Sequence, residues 1–164
     1  MLELGSALEC GVGVEKDKAQ ALDWYEMSAK RGNTYAMSRL SSYYLYEKED
    51  PSRALYFARL GAQAGDVDLM VTVANMQMRG YAADQSEARY WAVRAAKAGD
   101  GRGHLALAKL LARGVGGPAD DALAAEHYRA GLRLEELGFA KQQFIELLSR
   151  RPDLRQPGDP SLND

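Results

Sequence analysis

DVDLMVTVANMQMRGYAADQSEARYWAVRAAKAG, running from Asp66 to Gly99, is the stretch that decides the fold. Leu69, Met70, Val73 and Ala74, with Gln77 as the one polar intrusion, follow the i, i+4, i+8 spacing of a single helical face. Arg79-Gly80-Tyr81 breaks that pattern. Asp84 with Glu87 three residues on has capping-box spacing, which predicts a second helix opening at Asp84 with Ala88, Trp91, Ala92, Ala95 and Ala96 on its apolar face. Gly99 is suited to the left-handed conformation that closes a helix, and Asp100 is placed to cap the next one. A helix pair of this kind buries one face of each member and leaves another bare. A neighbour must cover it.

The same punctuation recurs at Gly32-Asn33, Gly65-Asp66 and Gly99-Asp100, with successive glycines 33 and 34 residues apart, the period range of helical-pair solenoids. Upstream, Leu4-Gly5 and Leu8 match Val73-Ala74 and Gln77, so residues 2–9 read as the last turns of a first helix. Met1 thus stands inside a repeat unit, and the expectation is that the natural protein has more residues before it. Gly11-Val12-Gly13-Val14 forms a turn, and Asp17 caps a helix carrying Ala21, Trp24, Tyr25, Ser28 and Ala29. The second unit has Ala36, Leu40, Ser41 and Tyr44, then Ala54, Phe57, Ala58 and Ala62. Its turn is three residues shorter than the first unit's, and Asp50-Pro51 supplies the cap and first-turn proline. In the fourth unit, Leu107-Ala108, Leu111, Gly114 to Gly117 and Asp120 repeat the first turn, and Ala124, His127 and Tyr128 take the places of Ala21, Trp24 and Tyr25. Glu135 stands where the closing glycine belongs, so this helix should run longer.

A last amphipathic helix from Phe139 to Arg150, with Phe144, Ile145, Leu147 and Leu148, should cap the stack. Residues 1–150 therefore read as one domain and 151–164, with Pro152, Pro157, Gly158 and Pro160, as a flexible tail.

Composition is that of a water-soluble globular protein, 46% hydrophobic and 27% charged, with a formal charge of −2 that gives no reason to bind nucleic acid. No apolar run approaches the roughly 18–20 residues needed to span a bilayer. Cys10 stands alone and reads as a small core filler. His104 and His127 have no Cys-x-x-Cys or His-x-x-x-His spacing around them, so no metal or cofactor site is expected. His127 reads as packing and His104 as a surface or capping residue. The glycine runs at 11–13 and 114–117 link helix to helix, not strand to helix, and lack the Lys-Ser/Thr of a phosphate loop. Asp17, Asp50, Asp84 and Asp120 all fall at helix starts, where capping explains them. Trp24, Phe57 and Trp91 recur at the repeat period and read as packing between helices. No catalytic residue is assigned.

The strings Leu4-Gly5-x-x-Leu8-x-x-Gly11-x-Gly13-Val14-x-x-Asp17 and Ala21-x-x-Trp24-Tyr25-x-x-Ser28-Ala29-x-x-Gly32-x-x-x-Ala36 resemble the Sel-one-like repeat, a relative of the tetratricopeptide repeat. The resemblance covers roughly residues 2–135 in four units. It implies an all-α, right-handed α/α solenoid whose first helices line the concave side and which serves mainly as a protein-binding scaffold. Cysteine-rich members of the family are stapled by disulfides. This chain lacks those cysteines, and the hydrolase or drug-binding activity of that branch is not carried over to it.

A rotation of about 100° per residue places the side of each first helix opposite its packing face. The partner-binding residues expected there are Tyr35, Arg39, Ser42 and Tyr46; Asn75, Met78 and Arg79; and Arg102, Lys109 and Arg113, with Val71, Leu105 and Ala106 facing the same way. Five positions on this side are basic and only Asp68 is acidic, which suits an acidic or amphipathic segment of another protein. Small bacterial proteins of the resembled family include immunity proteins that neutralise antibacterial effectors such as type VI secretion phospholipases. An immunity role is the function this resemblance implies, with a signalling or envelope-assembly adaptor as the alternative and a small hydrolase as a minor one. The expected compartment is the bacterial periplasm, or else the cytoplasm. Nucleic-acid binding and membrane insertion are not expected, and the sequence leaves oligomeric state open.

Overall fold

The structure, a computed structural model, describes residues 2–13, 15–134 and 138–160. Its regular elements are α1 (Leu2–Cys10), α2 (Lys18–Ala29), α3 (Thr34–Tyr46), α4 (Pro51–Gln63), α5 (Val67–Met78), α6 (Ala88–Lys97), α7 (Gly101–Arg113), α8 (Asp121–Leu134) and α9 (Gly138–Arg150), with one 3-10 turn, Pro152–Leu154. There is no strand among the described residues. None of these helices is long and apolar enough to cross a membrane. The chain divides into two compact units, Met1–Leu69 and Met70–Asp164, whose border lies inside α5.

In the first unit each helix from α1 to α4 packs on the next. The helix starts follow the capping residues: Asp17 accepts from the Gln20 amide at 2.9 Å, Asn33 from Ala36 at 2.9 Å, and Asp50 from Arg53 at 3.0 Å with Pro51 in the first turn. The turn between paired helices is tied by the capping residue's own amide, which donates to Leu8 from Asp17 and to Tyr44 from Asp50. The turn of the second repeat, three residues shorter, closes the same bond with Glu49 at φ 50°, a left-handed conformation unusual for a side chain with a Cβ. Gly32 and Gly65 end α2 and α4 with φ of 87° and 95°, as the spacing predicts.

In every second helix the position after the aromatic series is buried. Tyr25, Ala58, Ala92 and Tyr128 are all buried, whereas Trp24, Phe57 and His127 are half-buried and only Trp91 of that series is fully inside. Phe57 stacks on Tyr44 with centroids 5.6 Å apart.

In the second unit, α6, α7, α8 and α9 pack in succession. Their crossings are close. A Cβ on Gly103 would stand 2.5 Å from the Ala96 amide nitrogen, and one on Gly131 would stand 2.6 Å from the Leu105 side chain and 3.0 Å from the Gly101 carbonyl. Arg89 on α6 donates to the carbonyls of Val115, Gly117 and Pro118, so one guanidinium holds the turn between α7 and α8. Phe144, Ile145, Leu147 and Leu148 are buried, and Phe144 stacks on Tyr128 at 5.5 Å, which makes α9 the covering helix at this end.

One helix start is corrected. α6 begins at Ala88 rather than at Asp84, because the Asp84 carboxylate accepts from the Ser86 amide only two residues on, at 2.8 Å, and shapes a turn. Glu87 makes no cap bond and instead accepts a long hydrogen bond, 3.5 Å, from Gln77. The expected run of α8 through Glu135 lies outside the described residues. Residues 151–160, expected to hang loose, are held by Arg129. Its guanidinium donates twice to Asp159, at 2.8 and 2.7 Å, and once to the Leu154 carbonyl, with the two side chains only 12% and 5% exposed.

Gly103→Ala should destabilise the protein by about 1–3 kcal/mol, since backbone must move to admit the new methyl. Gly138→Ala, with nothing within 4 Å of the added carbon, should leave urea unfolding unchanged or slightly improved. Arg129→Met should free the C-terminal segment, read as faster tryptic cleavage after Arg155 than in the parent; equal cleavage rates would mean that this contact does not hold the segment.

Candidate functional site

On the first unit the α3 face presents Tyr35, Ser42 and Tyr46 as exposed side chains and Arg39 as half-buried. Arg39 is not a free cation. Its guanidinium forms an ion pair with Glu9 on α1, and the same carboxylate accepts a hydrogen bond from the Tyr25 hydroxyl at 2.7 Å. Burial pushes the Glu9 carboxyl up, but the Tyr25 and Arg39 donors outweigh it and hold the group below the usual carboxylate range. Burial, reinforced by the Glu9 charge, pushes Tyr25 up to about 12. Beside them Lys18 pairs with Glu47, so the pocket of about 200 Å³ lined by these groups and Tyr46 has each cation matched by an anion.

On the second unit, Asn75 and Met78 are half-buried on α5, and Arg79 is exposed one residue past its end. Arg102, exposed on α7, donates through Nε and Nη2 to the Asp100 carboxylate at 3.1 and 2.6 Å, and this pair draws the carboxyl of Asp100 below its ordinary range despite burial. Lys109 and Arg113 stand one turn apart on α7, half-buried and exposed. Burial pushes the Lys109 ammonium down from its ordinary value, and the charges of Arg113 and Arg79 add to the shift. Its Nζ lies 4.5 Å from the centroid of Phe139, a cation–π contact. Arg79, Lys109 and Arg113 have no ion pair among the described residues. Two of the five expected basic residues are therefore neutralised by carboxylates and three remain.

Four further positions are corrected. Val71, Leu105 and Ala106 are buried rather than outward, because a helix packed on two neighbours has an apolar arc wider than one stripe; Leu105, for example, fills the space that Gly131 leaves open. Cys10, expected in the core, is exposed. It lies two residues past buried Leu8, about 200° around α1.

The two histidines meet. His104 Nδ1 and His127 Nδ1 are 2.9 Å apart. The ring centroids are 5.1 Å apart, longer than the N–N distance by about two ring radii, so the nitrogens face head-on as in an N–H···N hydrogen bond rather than converging on a shared ion. No cluster of three or more potential metal-ligating side chains occurs among the described residues. His104 has no partner legible in the sequence, because nothing local signals a contact across 23 residues. The repeat register could have found it, since both side chains sit on consecutive, packed helices.

The Sel1 repeat family model matches residues 1–33, 34–66, 73–100 and 102–134. The chain belongs to the Sel1 repeat family. These are protein-interaction scaffolds, and the fold is the all-α helical-repeat solenoid expected. Among solved structures, a protective antigen of uropathogenic Escherichia coli displaying an SLR fold is similar over 94% of this chain and 34% of its own, at 24% identity and a TM-score of 0.79. A Sel1 repeat protein from Oxalobacter formigenes is similar over 91% of this chain and 63% of its own, at 23% identity and a TM-score of 0.75. The chain thus spans about a third and somewhat under two thirds of those two proteins, and at these identities the likeness shows the fold alone. No curated protein matches the chain.

Burial, and then the neighbouring His104, push the His127 imidazole below its ordinary value, with Glu126 acting the other way. On acidification the unfolded chain takes up this proton first, near about pH 6.5, so stability is lost as pH falls below that value until folded His127 is itself protonated. The parent should therefore lose more melting temperature between about pH 7.5 and about pH 5.5 than His104→Gln/His127→Gln does. Equal losses would remove the pair from the acid response.

Proposed function

We propose that this chain is a non-catalytic protein-binding module whose partner brings an acidic or amphipathic segment to the α5 and α7 face of the second unit. One observation carries the reading: Arg79, Lys109 and Arg113 are left without an anion where Arg102 is matched by Asp100. Uncompensated charge on a half-buried lysine is unfavourable in the free protein and is relieved when an anion arrives. Such a patch also speeds encounter with an acidic partner. On the first unit, Tyr35, Ser42 and Tyr46 offer amphipathic contact area beside the matched Arg39–Glu9 pair, suited to fixing orientation rather than to attracting charge.

The finer proposal is that the partner is a secreted antibacterial effector, such as a type VI secretion phospholipase, and that this chain is the immunity protein that covers it in the periplasm. The family resemblance and the unmatched cations support that reading. A signalling or envelope-assembly adaptor uses the same surface, with the cytoplasm as a further compartment.

Affinity capture from a bacterial lysate and an envelope fraction, followed by titration of the purified partner, separates the two. Recovery of one stoichiometric enzyme that is inhibited when bound supports the immunity role, and recovery of several envelope or signalling proteins supports the adaptor. Arg79→Glu/Arg113→Glu should weaken the purified partner by at least about tenfold, roughly 1.4 kcal/mol. Unchanged affinity would move the docking surface elsewhere.

A further inference from the structure

Resting on the protein-binding reading, we infer that the second unit recognises a two-point anchor in its partner. A carboxylate side chain is held by Lys109 and Arg113, and a neighbouring apolar side chain is laid on Phe139.

The first point is a pocket of about 550 Å³ on the second unit, formed by the C-terminal half of α7, Tyr128 of α8 and one side of α9. Its walls carry three cations, Lys109, Arg113 and Arg150, against one carboxylate, Glu146. None of these four is ion-paired among the described residues. The pocket therefore has a formal excess of two positive charges and open hydrogen-bond donors. Glu146 on the same wall favours a monoanion over a more highly charged group, because a second negative charge would face it at short range. A single Glu or Asp side chain meets that condition.

The second point is Phe139. Its side chain is 56% exposed at the start of α9, and its ring face is 4.5 Å from Lys109 Nζ. In the free protein the ring's negative face is what Lys109 has in place of a counter-ion. An arriving carboxylate gives the ammonium its ion pair on another side, since an ammonium has three donors. The residue next to that carboxylate then lies against the remaining ring surface, where an apolar side chain loses contact with water. Charge alone would make the patch indiscriminate. The adjoining aromatic surface adds the requirement that the acid stand beside a hydrophobe.

The test uses the full chain and three fluorescein-labelled twelve-residue peptides, built on repeats of Ser-Glu-Leu, Ser-Gln-Leu and Ser-Glu-Ser, read by fluorescence anisotropy at low ionic strength. The Glu-Leu peptide should bind saturably, and each of the other two should bind at least about tenfold more weakly. Arg113→Glu and Lys109→Gln should each weaken the Glu-Leu peptide by about tenfold. Phe139→Ser should weaken it while leaving the Ser-Glu-Ser peptide unchanged, and the exposed position makes this variant foldable. Equal affinity for the Glu and Gln peptides, or indifference to Arg113→Glu, would overturn the carboxylate point. Equal affinity for the Glu-Leu and Ser-Glu-Ser peptides would overturn the apolar one. If a purified protein partner binds parent and variants alike, the anchor fails while the protein-binding reading stands. If no purified protein binds the parent, that reading fails whatever the peptides do.

Discussion

Helices that cross almost backbone to backbone are the constraint on which the rest of this structure depends. Ala95 and Ala96 of α6 meet Gly103 of α7, and Gly131 of α8 meets Leu105 and the Gly101 carbonyl of α7, at distances where one added carbon would collide. The alanines at 54, 58, 62, 88, 92, 95, 108 and 124 are all buried for the same reason. Small residues bury little area apiece, so the close packing they allow must be complemented by a few large side chains at fixed depths. Tyr25, Tyr128 and Phe144 take that role. Placing tyrosine hydroxyls so far inside has consequences of its own: Tyr25 requires an acceptor, and it finds Glu9.

That requirement shapes the surface. Glu9 is half-buried, and with Tyr25 and Arg39 it forms a three-member network reaching from α1 to α3, so a residue expected to greet a partner is instead committed to the fold. The second unit solves its interior differently. Tyr128 stacks on Phe144 with ring centroids 5.5 Å apart. Its nearby cations, Lys109 and Arg113, are left to an aromatic ring and to solvent.

Much of the architecture was legible because it is written in short-range rules. Asn33, Asp17, Asp50, Asp100 and Asp120 act within three residues, and Gly32, Gly65 and Gly99 act at their own φ angles. Asp84 shows the limit of such rules, since a carboxylate can satisfy an amide two residues away as readily as three, and Asp84-x-x-Glu87 does not say which. The partners of the candidate face were harder to read. Arg102 lies two residues from Asp100 and could have been paired from the sequence alone. Arg39 meets Glu9 across 30 residues and His104 meets His127 across 23, and such contacts depend on how neighbouring helices register. Helical phase also overestimated exposure at Val71, Leu105 and Ala106, because phase describes one helix and burial describes its neighbours.

What survives these corrections is a narrower electrostatic surface than five basic residues implied. Pairing Arg102 with Asp100 removes one cation, and pairing Arg39 with Glu9 removes another, so the remaining positive charge gathers on Arg79, Lys109 and Arg113. Concentration matters more than total charge here. A charge spread along a face is screened over about 8–10 Å of saline, whereas a half-buried ammonium beside two guanidiniums is screened little and discriminates between partners that do and do not place an anion there. The adjacency of Phe139 to Lys109 gives that charge an orientation. An ion and a ring in fixed relation can select a sequence where an ion alone selects only a sign.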